Sequence, residues 1–337
     1  MSARIDGLGW VTPLGADLEE VWRGIERGIA PEPRTIANPE TGRVHRYLPV
    51  PPALTAHLTR EPRLRRSSAI SFYAVAAALR ALDDAGVTLT PEAAARTAIV
   101  LAVTDGGVVY TRRFYEQIVK QGANAASPLL FPETVYNAPA SHLAAQLGID
   151  GASYTLVGDS TVGLAALKFA EQLLAVEEVD RCLVVAAEEI DWILCEAYRD
   201  WRLAATPLAE GAAAVVLTRD AGVRVRTHAG VPYFRRRASA AALSRVFGEL
   251  IGDTAPEIVV RGASGAFPDA AESAALAKHC AQAAAVFPRQ VLGESPGASA
   301  LIQVVAAAHS VRSGRCARAL VSAPGFNQQA SGAIVET

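Results

Sequence analysis

The sequence predicts an α/β protein in which helices cover both faces of a buried sheet. Apolar strands alternate with amphipathic or alanine-rich helices along the 337 residues. Several strands, such as residues 181–187, are apolar without alternation, which is typical of strands buried on both faces. The alternation occurs in two successive runs and suggests a duplicated half. We therefore expect one compact unit with halves at residues 1–220 and 221–337, and a loop insertion at about 30–66.

Composition restricts the class of protein. The formal net charge is −2 with dispersed basic residues, so nucleic acid is not an expected partner. No apolar run approaches the roughly 20 residues of a membrane span, and the N-terminus lacks the apolar core of a secretion signal. We expect a cytoplasmic protein without a membrane partner. The four cysteines have no metal-ligand spacing, so neither a disulfide framework nor a metal site is expected.

In the first half, apolar periodicity and turn residues predict each element. The elements are a strand at 5–11, a helix at 18–25, a proline-rich surface loop at about 30–66, a helix at 69–85, a strand at 98–103, a helix beginning at the turn 105–107, and a helix at 137–147. A strand at 154–157 follows and leads through a short polar turn into a helix. Buried strands at 181–187 and 211–219 complete this half.

The second half repeats the alternation in shorter form. The elements are strands at 223–227, 257–260, 291, 317–322 and 332–336, with helices at 239–251, 270–285 and 298–313. The repeat of strand and helix implies that the second half packs as the first does.

The turn at 158–161 is the first candidate site. It joins a strand to a helix and places Ser160 at or near the helix N-cap. Backbone N–H groups at that position have no intrahelical partner and can stabilise an oxyanion or a phosphate. A nucleophile placed there is expected to be exposed, and the positive end of the helix favours its ionised form. The alternative is that Asp159 or Ser160 only caps the helix.

Six segments, in order, resemble the motifs of a β-ketoacyl synthase of the thiolase superfamily. They are residues 7–15 (TGxGxVTPLG in the family), 137–142 (NMAAGH), 151–167 (GPxYTVxTACASGLxAL), 210–217 (GEGAGxLVLE), 293–300 (GHxxGAAG) and 325–326 (the start of GFGGTN). The resemblance implies a thiolase-like, five-layered αβαβα fold built from two duplicated halves, usually dimeric. It also implies an acyl group delivered by the phosphopantetheine of an acyl carrier protein.

The family chemistry implied by the resemblance uses a cysteine nucleophile, two histidines and an oxyanion hole of two backbone amides. This sequence departs from that pattern at each side chain. The cysteine position is Ser160, the histidine positions are Ala263 and Glu294, and the lysine before the second histidine is Arg289. Beyond Phe326, Asn327 stands where the family has glycine. The amides of Ser160 and Phe326 retain the positions of the oxyanion hole.

These departures disfavour condensation by this chain alone. A serine hydroxyl needs a positioned base, and Ala263 removes the natural candidate. Glu294 is a candidate base if burial raises its pKa, yet an ionised carboxylate cannot donate a hydrogen bond to a thioester carbonyl. Replacing a neutral donor by a carboxylate also opposes the charge of an enolate. Alternatively, Glu294 and Arg289 form a structural ion pair.

Two functions follow. The first is a non-condensing partner that resembles chain-length factors and shapes an acyl pocket, as a homodimer or as a heterodimer with an active ketosynthase. Phe114, Tyr115 and Asn327 are the predicted pocket residues. The second is a Ser160-dependent acyltransferase or thioesterase acting on acyl-carrier protein or acyl-coenzyme A. No bound cofactor is expected in either case, since phosphopantetheine or coenzyme A serves as the acyl donor.

Overall fold

The computed structural model describes residues 3–176, 178–203, 205–265 and 267–337. Met1 and Ser2 of the analysed N-terminus, and Ala266 of the Ala263 segment, lie outside the described residues. The helices are α1 Leu18–Arg27, α2 Ala69–Asp84, α3 Pro91–Ala95, α4 Val108–Gln121, α5 Ala138–Leu147, α6 Val162–Leu173, α7 Trp192–Asp200, α8 Ser239–Ile251, α9 Asp269–His279, α10 Pro288–Leu292 and α11 Ser299–Arg312.

The strands form a ten-stranded sheet and a small three-stranded sheet. They are β1 Ala3–Val11, β2 Arg34–Ala37, β3 Val44–Leu48, β4 Thr97–Val103, β5 Ser153–Val157, β6 Arg181–Glu188, β7 Leu208–Ala209, β8 Gly211–Thr218, β9 Val223–Pro232, β10 Ile258–Val260, β11 Ala284–Val286, β12 Arg318–Pro324 and β13 Gln329–Glu336. The large sheet has the order β11-β10-β12-β13-β9-β1-β8-β6-β4-β5.

The predicted duplication is visible in the strand order. Reading inward from each edge, the first half runs β5-β4-β6-β8-β1 and the second runs β11-β10-β12-β13-β9. In both halves the outer three strands are parallel to one another. The fourth strand pairs antiparallel with both the third and the fifth. The two halves meet where β1 pairs with β9 at Ala3, Arg4 and Ile5.

The five predicted layers are confirmed. Helices α6 and α11 lie in the centre and bury apolar side chains such as Leu164 and Val304 between the strands of both halves. Helices α2 and α5 cover the outer face of the first half, around Leu143. Helices α8 and α9 cover the outer face of the second half, around Phe247. Burial on both faces explains why the central strands are continuously apolar.

The alanine content of α2 has a packing cause. A Cβ on Gly7 of β1 would lie 2.0 Å from the carbonyl oxygen of Ala81, and one on Gly9 would lie 2.2 Å from that of Ala77. Glycines facing alanines therefore let the strand and helix backbones touch, which larger side chains would prevent.

Three predicted elements need correction. Residues 30–66 are not simply a surface loop, because β2 and β3 form a hairpin there and β3 pairs with the distant β7. The predicted helix 270–285 ends at His279, since 284–286 pair with β10 as a strand. Val291 lies in the short helix α10 rather than in a strand. In the first two cases pairing with a remote segment outweighs local propensity. Val291 instead lies in a short helix that begins at Pro288, a residue favoured at the first helical position.

Within the described ranges, no helix is long and apolar enough to cross a membrane.

Candidate functional site

The candidate site lies where the parallel strands of both halves end. Strands β4, β5 and β6 end at Val103, Val157 and Glu188, and the segments that follow carry Asp105, Ser160 and Glu189. The corresponding strands β10 and β12 of the second half lead to Ala263 and Phe326. Carboxyl ends of parallel strands share one edge of a sheet, so the duplicated halves bring these segments together.

Ser160 lies directly before the N-cap of α6, which is Thr161. The predicted exposure of a nucleophile at this turn is wrong, because Ser160 is buried, with 1% of the residue exposed, where the strands of both halves end. Its Oγ has no hydrogen-bond partner in the described part of the chain. The carboxylate of Asp159 accepts a hydrogen bond from the Thr161 N–H at 2.9 Å. Asp159 therefore satisfies the start of the helix, and the Ser160 hydroxyl does not serve as a cap.

The sequence alternative of an Arg289–Glu294 ion pair is confirmed. Arg289 Nη1 lies 2.9 Å from Glu294 Oε2, and the two side chains are 2% and 0% exposed. Complete burial raises the pKa of the Glu294 carboxyl, and the adjacent guanidinium opposes that rise. Neither oxygen of Glu294 hydrogen-bonds Ser160 Oγ, and Oε1 has no partner among the described residues. Arg289 and Glu294, which the sequence resemblance aligns with the family's lysine and second histidine, thus form a fully buried ion pair.

Arg289 also ties the pair to the Ser160 turn. Its Nη2 donates to the carbonyl oxygen of Ser160 at 3.4 Å and to Gln303 Oε1 at 3.2 Å. Gln303 Nε2 in turn donates to the carbonyl oxygens of Val260 at 3.2 Å and Ser322 at 2.8 Å. This buried network joins the ends of β10 and β12 to the turn after β5.

The loop around Ala263 is held without an imidazole. Ala263 is 4% exposed, and the N–H of Gly262 donates to Glu272 Oε1 at 2.7 Å. The carbonyl oxygen of Ser264 accepts from the N–H groups of Ala205 and Thr206, both at 3.1 Å. The same segment continues to Glu294, whose N–H donates to Pro207 O at 2.9 Å. Residues 205–209 therefore connect the Ala263 loop to Glu294, the two positions that the sequence resemblance aligns with the family's histidines.

The backbone amides of Ser160 and Phe326 are free of partners. Across the described residues, neither N–H has a hydrogen-bond acceptor in the protein. The Phe326 ring packs edge-on against Tyr198 of α7, with ring centroids 6.3 Å apart. Helix α7 was not predicted, and it supplies the apolar support of this loop.

The three predicted pocket residues lie in two places. Tyr115 is 60% exposed and lines an apolar cleft of about 420 Å³ between α4 and α7. Phe114 packs against Phe131, with ring centroids 5.8 Å apart. Asn327 lies on the Phe326 loop, where its N–H donates to Asp159 Oδ2 at 2.8 Å. The structure therefore brings Asn327, but not Tyr115, beside the Ser160 turn.

Sequence reasoning missed two buried carboxyl groups at the site. Glu188 is fully buried and accepts from the N–H groups of Thr104 and Gly297, both at 3.0 Å. The N–H of Asp105 also donates to Glu188, and Asp105 Oδ2 is buried without a partner among the described residues. The signal available in the sequence is the acidic pair that ends an apolar strand. Within the described ranges, no group of three metal-ligating side chains is present.

Asp105 should make stability depend on pH. Burial raises its pKa from 3.8 to about 6, and burial with the nearby Asp105 charge raises that of Glu188. Between about pH 4 and about pH 6, the Asp105 carboxyl has lost its proton in the unfolded chain but keeps it in the folded protein. The free energy of unfolding therefore falls as pH rises through this range. We predict that Asp105→Asn stabilises the protein by about 1–3 kcal/mol at pH 8 and by little at pH 4. Urea unfolding at both values checks this; equal effects at both would contradict it.

Comparison with known proteins places this geometry in a family. Residues 4–222 match the family profile described as "Beta-ketoacyl synthase, N-terminal domain". The chain is 25% identical over 191 residues to the 3-oxoacyl-[acyl-carrier-protein] synthase 2 of Vibrio harveyi, covering 55% of this chain and 45% of that protein. The corresponding protein of Coxiella burnetii is 23% identical over 216 residues, covering 63% and 48%. The chain thus spans about half the length of these relatives.

Solved structures share the fold over nearly the whole chain. "The ishigamide ketosynthase/chain length factor" has a TM-score of 0.83 at 20% identity, covering 100% of this chain and 99% of that one. A ketosynthase (ApeO) in complex with its chain length factor (ApeC) from Xenorhabdus doucetiae has a TM-score of 0.77 at 14% identity, with coverages of 100% and 98%. The AntDE:AntF complex, an acyl-carrier protein with its ketosynthase, has a TM-score of 0.82 at 14% identity, with coverages of 100% and 99%.

Proposed function

The chain belongs to the β-ketoacyl synthase family, and we propose that within it the chain is a non-condensing partner that shapes an acyl pocket for an active ketosynthase. The observation that carries this proposal is the state of the Ser160 hydroxyl. It is buried, and in the described structure no imidazole, carboxylate or amine hydrogen-bonds it. A serine without a base is a poor nucleophile.

The buried ion pair adds an electrostatic argument. Condensation in this family builds negative charge on an enolate, and the active site must supply donors to that charge. Glu294 supplies a carboxylate there, and its Arg289 partner already donates to Glu294, Gln303 and the Ser160 carbonyl. Both terminal nitrogens of the guanidinium are thus committed to protein acceptors, whereas Nε has none among the described residues. The negative charge of Glu294 would therefore destabilise an enolate at this position.

An exposed apolar surface supports a partner subunit. Strand β5 is an edge of the large sheet, and its sequence Ser-Tyr-Thr-Leu-Val has no proline or charge to block pairing. Tyr154 is 42% exposed and Val157 is 53% exposed, and on α4 Val119 is 82% exposed. Helix α4 has no buried residue at all in the described structure. Such surfaces mark protein interaction sites. We propose that a ketosynthase covers this face and closes the Tyr115 cleft.

An acyl carrier protein is the proposed donor in this arrangement. A pocket of about 360 Å³ lies beside the site, lined by Tyr198, Thr206 and Gly265 together with Arg46 and Arg202. Both arginines are exposed, and neither takes part in an ion pair with another described residue. Two free guanidinium groups at the rim suit the phosphate of phosphopantetheine or coenzyme A.

The second candidate is a Ser160-dependent acyltransferase or thioesterase. The observation that favours it is the pair of unpartnered N–H groups at Ser160 and Phe326, which could stabilise an acyl oxyanion. The missing base weighs against it.

A reconstitution assay tests the proposed function. The chain is mixed with each β-ketoacyl synthase of its own host, and complexes are measured by native mass spectrometry. The product chain lengths of each synthase are then compared with and without the chain. We expect a one-to-one heterodimer with altered product length. Only homodimers, with unaltered products, would contradict the proposal.

A further inference from the structure

Asp159 joins the two loops that carry the free amides of the site. Its Oδ1 accepts from Thr161 N–H at 2.9 Å and from Thr161 Oγ1 at 2.7 Å. Its Oδ2 accepts from the Asn327 N–H at 2.8 Å. One carboxylate thus ties the turn before α6 to the loop that follows β12, on either side of Ser160 and Phe326.

The backbone at Gly325 packs closely against the Asp159 carboxylate. A Cβ on Gly325 would lie 2.4 Å from Asp159 Oδ2 and 3.0 Å from Thr161 Cγ2. The Phe326 loop therefore rests directly on the carboxylate, and only a residue without a side chain fits there. In the family motif aligned with residues 151–167, the position of Asp159 is alanine, which can make none of these bonds.

We propose that Asp159 is an internal latch that closes this site and suppresses a nucleophile at position 160. The carboxylate holds the Phe326 loop down through Asn327 and places a negative charge beside the amides that would otherwise bind an oxyanion. A like charge next to a developing oxyanion or thiolate disfavours it. The inference rests on the proposed non-condensing role for its purpose, and it identifies the residue that enforces that role.

A thiol reporter tests the charge of the latch. Ser160→Cys places a thiol at the position, and its alkylation by iodoacetamide is followed by intact mass at pH 7.5. Asp159, Glu294 and Arg289 are the charged groups that surround it. Adding Asp159→Asn to Ser160→Cys should raise the alkylation rate about 10-fold, the effect of roughly one unit in the thiol pKa. The matched control is Asp150→Asn, since Asp150 is exposed and precedes β5, at the opposite end of that strand from the Ser160 turn.

A stability cycle tests the contact itself and remains informative if the thiol variants fold poorly. Gly325→Ala alone should lower Tm by about 5 °C, because its Cβ meets Asp159. In the Asp159→Ala background the same substitution should cost less than half as much. Equal alkylation rates with and without Asp159→Asn, or additive losses of Tm, would overturn the latch. Neither readout involves a ketosynthase, so the latch and the proposed partner role can fail separately.

Discussion

Arg289→Met is expected to lower the free energy of unfolding by about 3–5 kcal/mol, because it leaves the fully buried Glu294 carboxylate without its cation. It also removes donors from the Ser160 carbonyl and from Gln303. Urea denaturation at pH 7 measures the loss. The matched control is Arg245→Met, whose partner Glu249 lies four residues away on α8, because ion pairs between exposed side chains contribute little to stability.

The double variant Arg289→Met with Glu294→Met separates a buried ion pair from a merely crowded site. Removing both charges avoids the uncompensated carboxylate, so the double variant should lose less stability than Arg289→Met alone. A loss equal to the sum of the two single variants would show that the pair is not energetically coupled.

Val157→Lys should weaken assembly through the exposed sheet edge about 100-fold. Val157 ends β5, and any subunit that extends the sheet at this edge would bury it. A buried lysine without a partner charge is costly. Sedimentation velocity over a concentration series measures the association, both of the chain alone and with its ketosynthase.

Val44→Lys is the control for this surface. Val44 is 59% exposed, compared with 53% for Val157, but it lies on the small sheet at β3. Both variants should fold alike, as checked by circular dichroism, and only Val157→Lys should impair assembly. Equal association of the two variants would exclude the β5 edge from the interface.

The sequence was informative wherever one local pattern determined the structure. Continuous apolar runs predicted strands β4 and β6, and helical periodicity followed by glycine predicted helices α2 and α5. The repeated alternation of strands and helices predicted the duplication seen in the strand order. The Arg289–Glu294 pair could be considered because the two residues are five positions apart and depart together from the family pattern. Such features depend on neighbours in the chain.

The rest depends on contacts between remote segments. The alanine-rich sequence of strand β11 predicts a helix, yet its pairing with β10 makes it a strand. Strand β3 gains its partner β7 from about 160 residues further along the chain. The carboxyl groups of Asp105 and Glu188 meet only because β4 and β6 are adjacent. Nor does the sequence reveal that the Asp159 carboxylate reaches Asn327.

In the proposed non-condensing partner, Ser160 does not carry acyl groups. The most direct test of this expectation is intact-protein mass spectrometry after incubation with a panel of acyl-carrier-protein and acyl-coenzyme A thioesters, with Ser160→Ala treated in parallel. Because the buried Ser160 hydroxyl has no base among the described residues, we predict no acyl adduct on either protein. An adduct on the unsubstituted chain that is missing from Ser160→Ala would contradict the account and establish a serine acyltransferase.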